Sequence, residues 1–224
     1  MSEHRTRFLQ LALRADALRF GEFTLKSGRV SPYFFNAGRF DSGAALAELV
    51  RCYADAIDER GVEFDLLFGP AYKGIPLASA LACEYARRGR DLPLAFNRKE
   101  AKAHGEGGSL IGASLEGRRV LIVDDVITAG TAIREALSII AAAGGTAAGI
   151  VIALDRQEAA GGVEVGDDER RSAAETVALE HGLPVIAVAT LGDLLAFAAT
   201  DPRLGEHRDA LLDYRARYGS KAAG

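Results

Sequence analysis

The sequence has few cysteines, no tryptophan and a single methionine among its 224 residues. Cys52 and Cys83 lack CxxC spacing and a neighbouring histidine cluster, so we expect free thiols rather than a disulfide framework or a zinc site. The chain has only six prolines, and 26% of its residues are charged, which excludes a collagen-like, low-complexity or disordered protein. We therefore expect one globular domain over residues 1–224 with a substantial apolar core.

A strong charge of one sign is also missing, as is any long apolar run. The formal net charge of −4 argues against broad attraction to nucleic acid or to an anionic membrane. The longest apolar stretch, residues 139–154, is interrupted by Gly144, Gly145 and Thr146, and the N-terminal segment MSEHRTRF is charged. We therefore expect no nucleic-acid or membrane partner, no export signal and a cytoplasmic location.

The first forty residues are predicted to form a hood, made of a helix and a hairpin. Apolar residues recur at helical spacing from Phe8 to Phe20, and Gly21 then ends the pattern. The next segment, FTLKSGRVSPYFFNAG, surrounds Ser27-Gly28 with aromatic and β-favouring residues. That composition predicts two short strands over residues 23–37.

After the hairpin, helical segments alternate with short apolar strands. The pattern predicts helices near 42–60, 74–88 and 130–143, and strands at 65–69, 93–96, 119–125, 146–154 and 184–190. Apolar strands without polar alternation, separated by helices, indicate a parallel sheet that is covered on both faces. The predicted fold is therefore α/β, with a doubly wound, mostly parallel sheet and a charged C-terminal helix over 201–218 packed on the core.

The segment VLIVDDVITAGTAIREA, residues 120–136, carries the strongest chemical signal. Asp124 and Asp125 follow a buried strand, and a tight turn over 128–131 leads directly into a helix. A helix N-terminus at the carboxyl edge of a parallel sheet favours a phosphate, and the two carboxylates suit sugar hydroxyls or a hydrated metal. Alternatively, the aspartates only cap the helix and Gly130 only turns the chain. Neither a P-loop nor a dinucleotide GxGxxG motif is present.

The same segment resembles the phosphoribosyl diphosphate (PRPP) motif of type I phosphoribosyltransferases, in which two acidic residues precede a Thr/Gly loop that cradles the 5′-phosphate. Four more segments narrow the resemblance to the orotate phosphoribosyltransferase family: FTLKSGRVSPYFFNAG at 23–38, LLFGPAYKGIPLA at 66–78, FNRKEAKAHGEGG at 96–108 and LDRQE at 154–158. The matching motifs lie between about residues 20 and 158. Beyond Gln157, the resemblance rests only on the length of the chain and on the alternation of helices and strands.

Two glycine-rich, charged stretches, 97–114 and 157–168, do not fit the alternation of helices and strands, and long loops of this kind are usually functional or disordered. The first places Arg98, Lys99 and two further basic side chains within seven residues. Such a group could surround a pyrophosphate, although it could also be a solvated surface loop. The resemblance implies a flexible catalytic loop at about 97–114. It also implies an obligate homodimer in which the Lys99 loop and the Lys26 region complete shared active sites.

The resemblance further implies a set of ligand contacts. Those expected to bind PRPP are Lys26, Tyr72, Lys73, Arg98, Lys99, Lys102, His104, Asp124, Asp125, Val126, Ile127, Thr128, Ala129, Gly130, Thr131 and Ala132. Those expected to act in catalysis are Lys99, Lys102, His104, Asp124 and Asp125. Four of the five lysines of the chain belong to the PRPP set, whereas arginines outnumber lysines 22 to five overall.

The expected orotate contacts are Phe34, Phe35, Thr128 and Arg156. A guanidinium after a strand can pair with the carboxylate that distinguishes orotate from uracil, but Arg156 could instead form an ion pair with Asp155 or Glu158. Aromatic residues in a strand are also frequent core residues. The resemblance, not the spacing, assigns the phenylalanine pair to orotate.

The reaction that the resemblance implies is displacement of pyrophosphate from C1 of PRPP by N1 of orotate, which gives orotidine 5′-phosphate. The expected cofactor is Mg²⁺, held mainly by PRPP and through water by Asp124 or Asp125. Lys102 and His104 either stabilise the leaving pyrophosphate or pass it a proton. A transferase acting on a purine and a PRPP-sensing regulator that binds nucleic acid are the alternatives.

Overall fold

The computed structural model of the protein describes residues 1–25, 28–99, 110–159 and 170–221. Helix α1 spans Glu3–Arg14, so the predicted helix over 8–20 is wrong at both ends. Asp16 adopts a positive φ of 55°, which terminates the helix, and Leu18 begins a strand instead of a further turn. Leu18 is buried in that strand, so its side chain reaches the core without helical geometry.

The predicted hairpin is present as a separate two-stranded sheet. Strand β1, Leu18–Thr24, pairs antiparallel with β2, Val30–Phe35, and Leu18 lies opposite Phe35. The first strand therefore starts five residues before the predicted position. Some of the apolar residues whose spacing predicted a helix belong to this strand. In a strand, alternate side chains are buried, whatever their helical spacing.

A six-stranded sheet forms the centre of the molecule. Its elements in chain order are α2 (Gly43–Arg60), β3 (Leu66–Gly69), α3 (Gly74–Arg87), β4 (Leu94–Asn97), β5 (Leu110–Gly112), β6 (Arg119–Val123), α4 (Thr131–Ala142), β7 (Thr146–Asp155), α5 (Ala173–His181) and β8 (Val185–Thr190). Helices α6 (Leu191–Ala198) and α7 (Arg208–Tyr218) follow. The strand order is β5-β4-β3-β6-β7-β8, and only β5 runs antiparallel to its neighbour. The predicted α/β fold is confirmed.

Both faces of this sheet are buried, which explains why its strands read as continuous apolar runs. Along β6, Leu121 and Val123 contribute to a core shared with α1, α2 and α3, whereas Val120 and Ile122 face a second core with α4 and α5. All four side chains are fully buried. Alternation along one strand therefore supplies two cores.

Two boundaries differ from the prediction. Strand β5 lies inside the predicted loop 97–114, where its residues pair with the exposed edge of β4. The C-terminal helix begins at Arg208 and not at 201, because Asp201 accepts a hydrogen bond from the Arg203 N–H and starts a turn. Leu211 and Tyr214 of helix α7 are buried. In the described ranges, no helix combines the length and apolar character needed to cross a membrane.

Candidate active site at the carboxyl edge of the sheet

The chain reverses its direction of winding between β3 and β6. From β3 it proceeds outward to β4 and β5, and from β6 it proceeds in the opposite direction to β7 and β8. In open α/β sheets, ligands bind at such a switch point, outside the carboxyl ends of the strands. The loops that follow β3 and β6 meet there, and they contain most of the predicted PRPP residues.

Asp124 and Asp125 lie at the end of β6 and are both buried. The Asp125 carboxylate lies 2.5 Å from Nζ of Lys73, which comes from the loop after β3, so an ion pair joins the two loops. Asp124 Oδ1 accepts a hydrogen bond from the Asp125 N–H at 2.9 Å. Burial raises the pKa of the Asp124 carboxyl, and the adjacent charge of Asp125 raises it further.

The turn after these aspartates presents backbone groups to solvent. The side chains of Val126 and Ile127 pack against the two cores, so only their main-chain atoms are directed to the turn. Residues 128, 129, 131 and 132 are exposed. Gly130 is the N-cap residue of α4 at φ 73°, and no side chain caps that helix. The N-terminal N–H groups of α4 are thus left for an anion.

The loop between β3 and α3 approaches β6 closely. A Cβ atom on Gly74 would lie 2.6 Å from the carbonyl oxygen of Val123, so only glycine fits there. Tyr72 is 69% exposed in this loop, and Nζ of Lys99 lies 5.1 Å from the centre of its ring. The ammonium of Lys73 is itself on a side chain that is 58% exposed. Three predicted PRPP residues are therefore accessible together.

The predicted orotate residues are distributed over two different environments. Successive residues of a strand face opposite sides, and Phe35 packs its ring 6.0 Å from that of Phe8 in the core. Phe34 contacts Phe23 on the other face, with ring centres 5.5 Å apart. The two rings therefore do not form one sandwich. Nη2 of Arg156 lies 2.7 Å from Oε1 of Glu158, which is the ion pair given above as its alternative role.

The chain was compared with known proteins. A family model described as "Phosphoribosyl transferase domain" matches residues 37–173. The orotate phosphoribosyltransferase of Xanthomonas campestris pv. campestris (strain B100) is 75% identical over 224 residues, which is 100% of each chain. This chain belongs to the orotate phosphoribosyltransferase family.

Other members of the orotate phosphoribosyltransferase family agree with this assignment. The enzyme of that name from Stenotrophomonas maltophilia (strain K279a) is 70% identical over 222 residues and 99% of both chains. The crystal structure of orotate phosphoribosyltransferase from Francisella tularensis matches with a TM-score of 0.82 and 41% identity, covering 95% of this chain and 99% of that chain. Members of the orotate phosphoribosyltransferase family are PRPP-using phosphoribosyl transfer enzymes of pyrimidine biosynthesis.

The structure describes most, but not all, of the residues predicted from the resemblance to the orotate phosphoribosyltransferases. Lys26, Lys102 and His104 lie outside the described residues. Lys73, Lys99, Tyr72 and the segment 124–132 are brought to one edge of the sheet. Phe35 packs instead into the core, and Arg156 is paired with Glu158 on a side chain that is 25% exposed.

Two buried polar residues that support the site were missed in the sequence. Oδ1 of Asn97 accepts a hydrogen bond from the Ala71 N–H at 2.9 Å and so fixes the Tyr72 loop. The hydroxyl of Tyr53 in α2 donates to the carbonyl oxygen of Asp124 at 2.9 Å. A polar residue at the end of the apolar run PLAFN was the one local signal for Asn97, whereas Tyr53 reads as an ordinary core residue.

Proposed function

We propose that this chain transfers the 5-phosphoribosyl group from PRPP to N1 of orotate, which yields orotidine 5′-phosphate and pyrophosphate. The observation that carries the proposal is the uncapped N-terminus of α4, which lies directly after two buried carboxylates at the switch point of the sheet. The family assignment supplies the class of reaction. The geometry supports a role for each part of the substrate.

The 5′-phosphate is the part of PRPP that suits the turn before α4. The backbone N–H groups and the positive end of the helix dipole attract a phosphate, and Thr128 and Thr131 add exposed hydroxyl donors. Asp124 and Asp125 would repel that phosphate but accept hydrogen bonds from the ribose hydroxyls. The ribose would therefore lie over the end of β6, with its phosphate toward α4.

The diphosphate would then face the loop after β3. Lys73 holds a mostly exposed ammonium there, and Lys99 lies next to Tyr72. We assign the diphosphate to Lys73 together with Arg98, Lys102, His104 and Lys26, and with Lys99 of the partner subunit in the homodimer proposed below. Charge-assisted hydrogen bonds from several cations stabilise the departing pyrophosphate more than they stabilise the bound substrate.

The base is assigned to Thr128, Arg156 and the strand segment Phe34-Phe35. Because the two phenylalanine rings face opposite sides of β2, we assign the edge of the pyrimidine to the main chain of this pair. Arg156 would pair with the orotate carboxylate. Displacement at an anomeric carbon develops oxocarbenium character, so these contacts accelerate the reaction by orienting N1 towards C1.

We propose Mg²⁺ as the cofactor of this reaction. Asp124 and Asp125 offer the oxygen ligands that a hard cation takes, although Asp125 already pairs with Lys73. The described residues contain no group of three or more histidine, cysteine, aspartate or glutamate side chains that could hold a metal. These residues fit an ion that is held mainly by the diphosphate and only through water by a carboxylate. When bound, the ion would neutralise charge on the leaving pyrophosphate.

A direct assay tests the proposed reaction. The purified protein is incubated with PRPP, Mg²⁺ and orotate while the loss of orotate absorbance and the release of pyrophosphate are followed. We expect turnover with orotate and none with adenine, hypoxanthine or uracil, and a loss of activity in the presence of a chelator. Absence of turnover with orotate would contradict the proposal.

We further propose that the protein acts in the cytoplasm as a homodimer with shared active sites. Lys99 would serve the site of the partner subunit. Mixed dimers of Lys99→Ala and Asp125→Ala should regain part of the activity, because one intact composite site forms in each mixed dimer. If mixing two inactive variants restores nothing, Lys99 does not act across the interface.

A further inference from the structure

A cluster of buried polar groups lies between the hairpin, the end of β7 and helix α7. Its members are Tyr33, Arg156, Glu158 and Tyr214, and the rings of the two tyrosines meet edge to face with centres 6.2 Å apart. Tyr33 is completely buried, and the guanidinium carbon of Arg156 lies 5.7 Å from the centre of its ring. Burial raises the pKa of both tyrosines, that of Tyr214 to about 12.

This cluster contains several buried atoms that lack a hydrogen bond. Considering only the part of the chain that the structure describes, no hydrogen bond of normal geometry is made by either tyrosine hydroxyl or by Nε and Nη2 of Arg156. The 2.7 Å contact from Nη2 to Glu158 is an ion pair whose angles fall outside hydrogen-bond geometry. Both of these nitrogens are buried, so the guanidinium nitrogen left for a ligand is Nη1 of this 25% exposed side chain.

Glu158 is itself held from several directions. Oε2 of Glu158 lies 3.9 Å from Nη1 of Arg29, and Nη2 of Arg29 donates to the carbonyl oxygen of Ala159 at 3.0 Å. The last residue of α7 also binds this segment, because the Ala159 N–H donates to Tyr218 O at 2.8 Å. Glu158 forms an isolated bridge with Gly219. The carboxylate therefore has a fixed place beside Arg156.

We propose that Glu158 and Tyr33 are positioning residues that hold the guanidinium of Arg156 for recognition of the carboxylate on the base. This inference rests on the proposed function, in which Arg156 pairs with orotate. Glu158 attracts Nη2, and Tyr33 closes the other side of the guanidinium with its ring. Neither residue needs to touch the substrate, and both act through Arg156.

A long, flexible side chain such as that of arginine loses rotamer entropy when it binds a ligand. Because Glu158 and Tyr33 already restrict the rotamers of Arg156 in the free protein, less entropy is lost on binding. A largely buried guanidinium also needs a nearby anion, which Glu158 supplies at Nη2 while Nη1 stays available for a ligand. Loss of that anion frees the guanidinium to turn, so recognition of the carboxylate weakens while the PRPP contacts are unaffected.

The test compares Glu158→Gln with Arg156→Ala and with a matched control, Glu84→Gln. Glu84 is also a buried glutamate in an arginine network, with Arg87 and Arg88, but it lies in α3 away from the cluster. The readouts are the KM values for orotate and for PRPP, and the affinities for orotidine 5′-phosphate and for UMP. Only the first of these nucleotides has the carboxylate. Thermal unfolding verifies that each variant is folded.

We expect Glu158→Gln to raise the KM for orotate about tenfold and to weaken binding of orotidine 5′-phosphate similarly. The KM for PRPP and the affinity for UMP should stay within about twofold of the wild-type values. Tyr33→Leu, which removes the ring beside the guanidinium, should act in the same direction by about threefold, and it decides the question if Glu158→Gln does not fold. Glu84→Gln should change only stability. Suppose that Arg156→Ala raises the KM for orotate. If Glu158→Gln then changes the KM values for orotate and PRPP equally, or changes neither, the positioning role is wrong. If Arg156→Ala leaves the KM for orotate unchanged, the proposed role of Arg156 falls, and this inference with it.

Discussion

The helices that follow β3 and β6 begin differently from those that follow β7 and β8. The N-cap residues are Lys73 for α3 and Gly130 for α4, and neither helix has a side-chain cap. Helices α5 and α6 instead begin with complete capping boxes, Ser172 with Glu175 and Thr190 with Asp193. A capping box satisfies the first N–H groups within the protein. One half of the sheet edge is therefore closed by its own side chains, and the other half keeps its donors for a ligand.

The largest expected effect concerns the carboxylate beside the uncapped helix. Asp125→Asn should lower kcat/KM by at least about 100-fold, because the ribose hydroxyls lose a charged acceptor and Lys73 loses its partner. Steady-state kinetics with PRPP and orotate measure this change. The control is Asp55→Asn, which removes a carboxylate that pairs with Arg88 at 2.8 Å in the helix layer and should leave the kinetics unchanged. A loss of less than about threefold for Asp125→Asn would remove this residue from the mechanism.

The next effect concerns the glycine at the start of α4. Gly130→Ala should raise the KM for PRPP about tenfold, because an alanine at φ 73° is strained and its Cβ would lie 3.0 Å from Val177. Gly182→Ala is the matched control, since Gly182 has a φ of 64° with nothing within 4 Å of the added carbon. Both variants should lose about 1 kcal/mol of stability, measured by denaturant unfolding. The interpretation fails if both variants change the KM alike.

The pH dependence of stability should distinguish a carboxylate in the helix layer from one at the end of β6. The Arg87 guanidinium lowers the pKa of Glu84 to about 2, so this group stabilises the fold above its ordinary pKa and loses that effect as the pH falls towards 2. Burial raises the pKa of Asp124, so its effect has the opposite sign. As the pH rises from the pKa that Asp124 has in the unfolded chain to its raised pKa in the folded protein, this carboxyl destabilises the fold increasingly.

Thermal unfolding of the ligand-free protein between pH 2 and pH 8 measures both effects. Relative to the wild type, Asp124→Asn should become more stable as the pH rises from the unfolded to the folded pKa of Asp124. Glu84→Gln should show a smaller loss than the wild type as the pH falls. Parallel curves for all three proteins would show that neither carboxyl has a shifted pKa.

The smallest effect is expected in the closed half of the sheet edge. Thr190→Ala removes the hydroxyl that accepts a hydrogen bond from the Asp193 N–H at 3.1 Å. We expect a loss of about 1 kcal/mol in the free energy of unfolding and no change in either KM. An altered KM for PRPP would mean that the capped half also takes part in binding.

The elements that sequence patterns predicted best are those whose cause is local. Apolar runs in β3, β6 and β7 mark buried strands, and the turn at Gly130 is visible because glycine follows two carboxylates and precedes a helical period. The end of α1 was mispredicted because Leu18 and Phe20 continue its apolar spacing, and only their pairing with β2 reveals a strand. Likewise, β5 depends on the exposed edge of β4 and has little signal of its own.

The site itself was predicted unevenly for the same reason. The loops after β3 and β6 carry recognisable motifs, but the hydrogen bond from Tyr53 to Asp124 joins residues far apart in the chain. The contact between Tyr33 and Arg156 is equally distant in sequence. Alternation along β2 decides that Phe35 enters the core, which the paired letters FF do not indicate. Motifs therefore located the site, whereas its buried supports depended on the folded chain.

Pairing between β4 and β5 has a consequence for the length of the segment they enclose. Asn97 and Leu110 face each other in antiparallel register, so the chain leaves and re-enters the sheet at one point. The fold therefore fixes the distance between these two residues whatever the number of residues between them. Main-chain pairing thus holds both ends of the predicted catalytic loop at one corner of the sheet.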